Sequence, residues 1–154
     1  MIQELILERT PKTPQIELNH LTGDLIFSGK SIPENAAKLY KQVLNWVEEY
    51  ISYPCSSTNL RINLDYYNTA SSIWLTKILK ALMKINKPDF VLIIHLYLPI
   101  EDFHGIDDFD DIIDAFFPVS YINQDTVLSV GIKLYGTNTR GEIIKEKLVF
   151  IEHE

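Results

Sequence analysis

The amino-acid sequence predicts an α/β (or α+β) fold, a single domain in which helices pack against a mixed β-sheet. Two segments, about residues 36–52 and 69–85, carry apolar residues at three- and four-residue steps, the spacing of a helix with one buried face. Each is followed by a strand-like run, residues 60–66 and 90–98. Before and after this central part, pairs of strand-like segments flank short turns that contain glycine, which is typical of hairpins.

Size and composition are those of an ordinary globular protein. The chain has 154 residues, of which 46% are apolar and 23% charged, so we expect one domain over residues 1–154. No apolar run approaches the ~20 residues of a membrane span. The N-terminal MIQELILERT lacks the pattern of a signal peptide, and we expect a cytoplasmic protein without membrane insertion. A formal charge of -7 argues against nucleic acid as a partner.

The first third of the chain predicts an N-terminal arm, a hairpin and the start of a helix. Two prolines in 10-TPKTP-14 favour an extended arm that precedes the domain proper. Residues 15–19 and 24–29 are the two strands of the first hairpin. Ser31 and Glu34 have the spacing of a capping box, which predicts Ser31 as the N-cap of the first helix.

The middle of the chain predicts strand, helix and strand. Residues 60–66 alternate apolar and polar side chains, as in a half-buried strand. The second helix begins near Thr69, ends before Pro88 and exposes four lysines, Lys77, Lys80, Lys84 and Lys87. Residues 90–98 are apolar at nearly every position, which predicts a central strand covered on both faces.

The C-terminal third predicts a short helix and a second hairpin. The acidic segment 101–117 favours a third helix from about Asp107, with carboxylates at the positive end of its dipole. Residues 126–136 and 142–152 flank the turn TNTR and predict two antiparallel strands.

Several patterns that could carry chemistry lack the spacing that the chemistry requires. The tripeptide 29-GKS-31 is not preceded by the glycine spacing of a phosphate-binding loop. The carboxylates of residues 101–111 do not follow the order of a calcium loop. The single cysteine, Cys55, has no partner nearby in the sequence. The histidines are too far apart for a ligand pair and favour structural roles: His20, His95, His104 and His153. We therefore predict no metal, no cofactor and no enzymatic centre.

Five small or polar residues, 68-NTASS-72, lie between the strand and the helix of the middle segment. Asn68 or Thr69 is a good N-cap, which contributes about 1 kcal/mol to a helix. A hydroxyl at a helix N-terminus is also a place where a phosphate is tolerated, because free backbone N–H groups and the dipole favour an anion there. Phosphorylation would add about -1.5 to -2 charge at that point. Both interpretations remain open from the residues alone.

Three ordered segments carry a resemblance to a known family: 10-TPKTPQIEL-18, 28-SGKSIPENAAKLYKQVLNWVEEY-50 and 64-LDYYNTASSIWLTKILKAL-82. Together they strongly resemble the SiaC family of bacterial regulatory phosphoproteins. The similarity covers about residues 10–98. It implies a fold similar to the STAS domains, with helices against a mixed sheet.

The resemblance implies a non-enzymatic, phospho-switched regulator. In the family, the unphosphorylated protein binds and activates a GGDEF-type diguanylate cyclase, which places it in biofilm-type c-di-GMP signalling. A dedicated kinase phosphorylates a threonine in an Asn-Thr-Ser-Ser motif, and a PP2C-type phosphatase removes the phosphate. Thr69 matches that threonine, and Ser71 is the second candidate because Ala70 interrupts the motif here. The resemblance also makes Asn68, Thr69, Ser71 and Ser72 the expected partner-binding residues.

The C-terminal third departs from the family pattern. The acidic run expected after the last central strand is replaced by 97-YLPIEDFHGIDDFDD-111, and the hairpin after residue 125 looks like an addition. We therefore describe residues 99–154 as a divergent extension, and the cyclase partner as an inference by family analogy. A second class of function stays open, a STAS-like module that binds a small ligand or a nucleotide.

Overall fold

The computed structural model describes residues 2–122 and 125–151, and within them seven strands form one sheet whose order follows the chain. The strands are β1 Leu5–Leu7, β2 Gln15–Asn19, β3 Asp24–Ser31, β4 Ser57–Tyr67, β5 Val91–Pro99, β6 Ser129–Thr137 and β7 Ile143–Ile151. Strands β3 to β6 run parallel, whereas β1, β2 and β3 pair antiparallel and so do β6 and β7. The predicted mixed α/β fold is confirmed.

Helices occupy the crossovers between the parallel strands. They are α1 Ala36–Tyr50, α2 Thr69–Leu82, α3 Ile100–His104 and α4 Phe109–Ala115, with 3-10 helices at Met83–Ile85 and Phe117–Tyr121. Parallel neighbours require such crossovers, and right-handed crossovers between strands added in one direction place their helices on the same face of the sheet. Helices α1 and α2 accordingly pack against each other, and α2 also packs against the second 3-10 helix.

The core lies between that layer of helices and one face of the sheet. Alternate strand residues are buried there, as the two-residue period of a strand requires. They include Ile16, Leu18, Leu25, Phe27, Leu60, Ile62, Leu92, Ile94, Ile132 and Leu134. From the helices, the fully buried side chains include Tyr40, Val43, Val47, Ile78 and Leu82. The opposite face of the sheet carries no helix within the described residues, and we call it the open face.

Three expectations about the part of the chain up to β5 need correction. Ser31 is not the N-cap of the first helix, because Asn35 accepts the hydrogen bond from the Lys38 amide at 3.1 Å. The N-terminal segment is not an extended arm outside the domain, because β1 precedes residues 10–14 and pairs with β2 in the sheet. Strand β5 is not covered on both faces, because Ile93 and Tyr97 on the open face are only partly buried.

In the C-terminal third, the acidic segment forms two short helices, α3 and α4, rather than one. The second predicted hairpin is confirmed as β6 and β7. Residue 152, the last of the predicted hairpin, and His153 lie outside the described residues. No helix in the described part of the chain is long and apolar enough to cross a membrane.

Candidate functional site

The junction between β4 and α2 is a capped helix start. Strand β4 ends at Tyr67, and Asn68 has extended backbone angles (φ -89°, ψ 174°). The Asn68 side chain accepts a hydrogen bond from the Ser71 amide at 2.9 Å, and its carbonyl accepts one from the Ser72 amide at 3.0 Å. Asn68 is therefore the N-cap, and Thr69 is the first helical residue. Of the two caps that the sequence allowed, the structure uses Asn68.

Thr69 and Ala70 are exposed at the first turn of α2. The first amides of a helix have no carbonyl partner within it, and the aligned peptide dipoles give this end a partial positive charge. The exposed Thr69 side chain therefore lies at a position where an added anion is favoured.

Ser71 has a different environment, because its side chain is fully buried. Its hydroxyl donates to the Ser31 carbonyl at 2.9 Å and lies 2.7 Å from the Ser31 hydroxyl. The Ser31 hydroxyl also bonds to Tyr40 of α1, whose phenol has its pKa raised by burial and so stays protonated. A further hydrogen bond joins the Asn68 amide to the Ser31 carbonyl at 3.0 Å. This hydroxyl network ties the end of β3, helix α1 and the start of α2 together.

From the sequence we predicted Ser31 as the N-cap of the first helix, whereas in the structure its hydroxyl bonds to Tyr40 and Ser71. A capping interaction is local and can be read from spacing, whereas Ser31 and Ser71 are 40 residues apart and meet only because β3 and β4 are parallel neighbours. The only sequence signal is that each serine lies in one of the segments that carry the family resemblance. The hydroxyl network therefore joins two of those three segments.

A cavity of about 340 Å³ adjoins Thr69 on the surface of α2. One wall is α2 itself, and the other is the 3-10 helix Phe117–Tyr121. Two large apolar side chains of this cavity are exposed to solvent, Ile73 at 53% and Phe117 at 55%. Ser72 is half-buried in the same wall. Sequence reasoning missed Phe117 because it lies 48 positions beyond Thr69 and reaches α2 only through the tertiary fold.

A second polar cluster lies on the open face, on the other side of the sheet from α2. His95 is buried; its Nε2 lies 2.8 Å from the side-chain amide oxygen of Asn59, and its Nδ1 lies 2.7 Å from the Tyr135 hydroxyl. Burial, together with the positive charges of Arg61 and Lys133, lowers the His95 pKa from its ordinary value of 6.5 to about 4. A neutral imidazole satisfies both contacts, which is the structural role that the sequence predicted.

The acidic segment also has a structural explanation. Asp108 caps α4 by accepting from the Asp111 amide at 3.0 Å, and the Asp111 carboxylate accepts from the Asp108 amide at 3.2 Å. The Asp107 amide also donates to the Asp111 carboxylate at 2.8 Å, and these hydrogen bonds from the Asp107 and Asp108 amides lower the Asp111 pKa because they stabilise its charged form. Among residues 2–122 and 125–151, no group of three or more His, Cys, Asp or Glu side chains could hold a metal ion.

The fold and the site together define a mixed α/β protein in which a capped helix begins with an exposed threonine. A family model described as SiaC family regulatory phosphoprotein matches residues 7–127. The match covers well over half of the chain, and the chain therefore belongs to the SiaC family. Strands β6 and β7 lie beyond the matched residues.

Similar proteins come from Pseudomonas aeruginosa. The protein PA14_02130 of strain UCBPP-PA14 is 33% identical over 84 residues, which are 54% of this chain and 61% of that protein. The match thus spans less than two-thirds of the relative.

Two solved structures share the fold. Apo-SiaC has a TM-score of 0.62 at 23% identity, covering 85% of this chain and 98% of that chain. The second structure is SiaC in complex with the diguanylate cyclase SiaD, of which it is described as the activator. Its TM-score is 0.65 at 23% identity, and the match covers 85% of this chain and 99% of that chain.

Proposed function

We propose that this chain is a phospho-switched regulatory protein in which phosphorylation of the Thr69 hydroxyl controls the binding of an effector. The observation that carries the proposal is the exposed Thr69 side chain at the capped start of α2, within a family of regulatory phosphoproteins. Such a regulator needs no catalytic group of its own, because the charge on the Thr69 side chain decides whether the effector binds.

The contrast between Thr69 and Ser71 favours Thr69 as the acceptor. A kinase must bring its phosphoryl donor in line with the acceptor oxygen. The Thr69 side chain is exposed, whereas the Ser71 hydroxyl is buried and would have to break its bonds to Ser31 before it could react. Asn68, Thr69 and Ser72 then remain as contacts for a partner, and Ser71 supports the surface from beneath.

The effector that we propose is a GGDEF-type diguanylate cyclase, bound by the unphosphorylated protein. Support comes from the shared fold with P. aeruginosa SiaC, which is described as the activator of the diguanylate cyclase SiaD, and the GGDEF type follows from the family resemblance. A cognate kinase and a PP2C-type phosphatase complete the cycle by family resemblance. Because the kinase and the cyclase consume nucleoside triphosphates, the cycle would run in the cytoplasm and act on c-di-GMP signalling.

Phosphate at Thr69 would prevent docking rather than unfold the protein. A partner that packs against the start of α2 would have to desolvate a doubly charged group, which costs several kcal/mol unless a cation receives it. A tenfold loss of affinity corresponds to only about 1.4 kcal/mol, so even part of the desolvation cost is enough to prevent binding.

The test uses Thr69→Ala and the unmodified chain, each incubated with the cognate kinase and ATP. Mass spectrometry of the segment 68–77 should show one phosphate on Thr69 in the unmodified chain and none in the variant. The variant should bind the effector constitutively, while the phosphorylated chain should bind at least about tenfold more weakly. Full labelling of Thr69→Ala, or equal effector binding by both phosphorylation states, would contradict the proposal.

A second candidate function is a module that binds a small polar ligand. A cavity of about 400 Å³ lies at the carboxyl ends of β4, β5 and β6, where α/β sheets commonly bind ligands. Its polar lining includes Asn63, Asp65, Tyr97, Glu101 and Thr137. Thermal stabilisation of the unphosphorylated protein by nucleotides or other small metabolites would favour this function, and its loss in Asp65→Ala would locate the site.

A further inference from the structure

The cavity beside Thr69 continues along the full length of α2. A second cavity of about 430 Å³ shares Lys80 and Tyr121 with the first and extends to Lys84 and Asn86. At 1.5 Å per residue, the 14 residues of α2 give this surface a length of about 21 Å. We call it the basic groove and define it by Thr69, Ile73, Lys77, Lys80, Phe117 and Tyr121.

The basic groove has a charge opposite to that of the whole protein. The chain carries a formal charge of -7, yet no Asp or Glu occurs between Asp65 and Asp89. Four lysines lie in that interval, Lys77, Lys80, Lys84 and Lys87, and all are exposed. None of them takes part in a salt bridge within the part of the chain that the structure describes. Their charge is thus available to an external anion.

Aromatic and aliphatic side chains give the groove an apolar wall. Ile73 is 53% and Phe117 55% exposed, and the Tyr121 ring supports the Lys80 ammonium at 4.4 Å. The Lys77 ammonium lies 4.3 Å from the Trp74 ring. Both cations are therefore held beside exposed apolar surface, a combination that suits a ligand with an apolar stripe and flanking carboxylates.

We propose that the basic groove is the docking surface of an acidic amphipathic helix that belongs to the effector. Residues 69, 73, 77 and 80 follow three- and four-residue steps, so they form one stripe along α2, and Lys84 continues it in the 3-10 helix Met83–Ile85. A second helix laid along such a stripe presents apolar residues at the same steps and carboxylates beside them. The negative field of the whole chain disfavours nucleic acid, whose phosphates extend far beyond a local patch of lysines.

This inference rests on the proposed function and adds a physical reason for the switch. Thr69 stands at the head of the stripe that carries Lys77 and Lys80. A phosphate there adds up to two negative charges to a surface whose first two cations supply two positive ones. An acidic helix then meets a groove without net attraction at that end. The effect of phosphorylation on affinity should consequently shrink as salt screens the charges.

The test measures binding of a synthetic helical peptide of about 18 residues, with leucines at three- and four-residue steps flanked by glutamates. Fluorescence anisotropy compares the unmodified chain, Lys77→Glu/Lys80→Glu and the matched control Lys38→Glu/Lys41→Glu, which changes two exposed lysines of α1. The groove variant should bind at least about tenfold more weakly than either of the others in low salt. Phe117→Ser should also weaken binding, although it leaves the charge unchanged.

Two further measurements complete the test. NMR chemical-shift changes caused by the peptide should map to α2 and the 3-10 helix Phe117–Tyr121, and a peptide with glutamine in place of glutamate should bind more weakly. Thr69-phosphorylated protein should bind less than unphosphorylated protein at low salt, with a smaller difference at 0.5 M salt, about a 4 Å screening length.

Several outcomes would overturn the inference. They are absence of binding at millimolar peptide, equal loss in the α1 control, chemical-shift changes elsewhere, or preference for a single-stranded oligonucleotide over the peptide. The comparison of the unphosphorylated variants does not depend on the kinase, so unchanged peptide binding by Lys77→Glu/Lys80→Glu rejects the basic groove while Thr69 labelling remains intact. Loss of Thr69 labelling with normal peptide binding would reject the proposed switch instead.

Discussion

At the residue scale, the hydroxyls of Thr69 and Ser71 differ in accessibility although they are two positions apart. In a helix, a step of two residues turns a side chain to another face. Asn68 fixes where that helix begins, because its side chain and carbonyl accept from the Ser71 and Ser72 amides. The cap thereby decides that position 69 faces solvent and position 71 faces Ser31.

Replacement of Ser71 tests this division of roles. Ser71→Ala removes one partner of Ser31, but the Ser31 carbonyl keeps the Asn68 amide and its hydroxyl keeps Tyr40. We expect the free energy of unfolding to fall by about 0.5–1.5 kcal/mol, the typical value of one hydrogen bond. Kinase labelling should remain complete and lie entirely on Thr69. A folded Ser71→Ala protein that loses its label, with Thr69→Ala as the reference, would show that Ser71 is the acceptor.

At the element scale, patterns within a few residues predicted α2 well, whereas contacts between residues far apart in the sequence were not predicted. The polar cluster before an apolar stripe gave the start of α2 at Thr69, because capping involves residues three positions apart. The same reasoning failed at α1. Ser31 belongs to the buried network with Ser71, and the helix starts only after Asn35. The spacing of residues also gave no prediction for Phe117, because its position beside α2 depends on the whole crossover from β5 to β6.

The sheet shows the same limit. The apolar run of residues 90–98 predicted a strand covered on both faces, but β5 has helices on one face only. His95, Tyr97 and Tyr135 provide partial cover on the other face, with the two tyrosine rings stacked at 4.3 Å. An apolar run therefore identified the central strand but could not distinguish cover by a helix from cover by aromatic neighbours.

Phosphorylation should leave the stability of α2 unchanged or slightly raised. A phosphate at the first helical residue meets the positive end of the dipole, an interaction of about 0.3–1 kcal/mol per charge. Differential scanning calorimetry of phosphorylated and unphosphorylated protein should therefore give the same melting temperature or a slightly higher one after phosphorylation. A phosphoprotein that melts many degrees lower would mean that the switch works by unfolding the start of α2.

At the scale of the whole molecule, two polar regions lie on opposite sides of the sheet. The Thr69 surface and the basic groove belong to the helical layer, whereas the His95 cluster lies on the open face. The cluster is built from β4, β5 and β6, and the last of these follows the residues matched by the family model. Changes in the cluster should therefore alter stability without altering the phosphorylation of Thr69.

The pH dependence of stability follows from the His95 cluster. Because the folded pKa of His95 is about 4, below the ordinary value of 6.5, the unfolded chain binds a proton that the folded protein does not between these pH values. The free energy of unfolding should therefore fall as pH decreases from about 6.5 to about 4, by about 3 kcal/mol in total at 1.36 kcal/mol per unit. Below the folded pKa this contribution changes no further.

Urea denaturation of the unmodified chain and His95→Gln between pH 7 and pH 4 measures this contribution. Glutamine keeps a donor and an acceptor for Asn59 and Tyr135 but does not titrate in this range. The variant should be less stable than the unmodified chain at pH 7, because its amide fits the two contacts less well, and the difference should narrow or reverse towards pH 4. His104→Gln, at an exposed position, is the matched control and should keep the original slope. Equal slopes for the unmodified chain and His95→Gln would mean that His95 takes up its proton in the folded protein without resistance from burial or from Arg61 and Lys133.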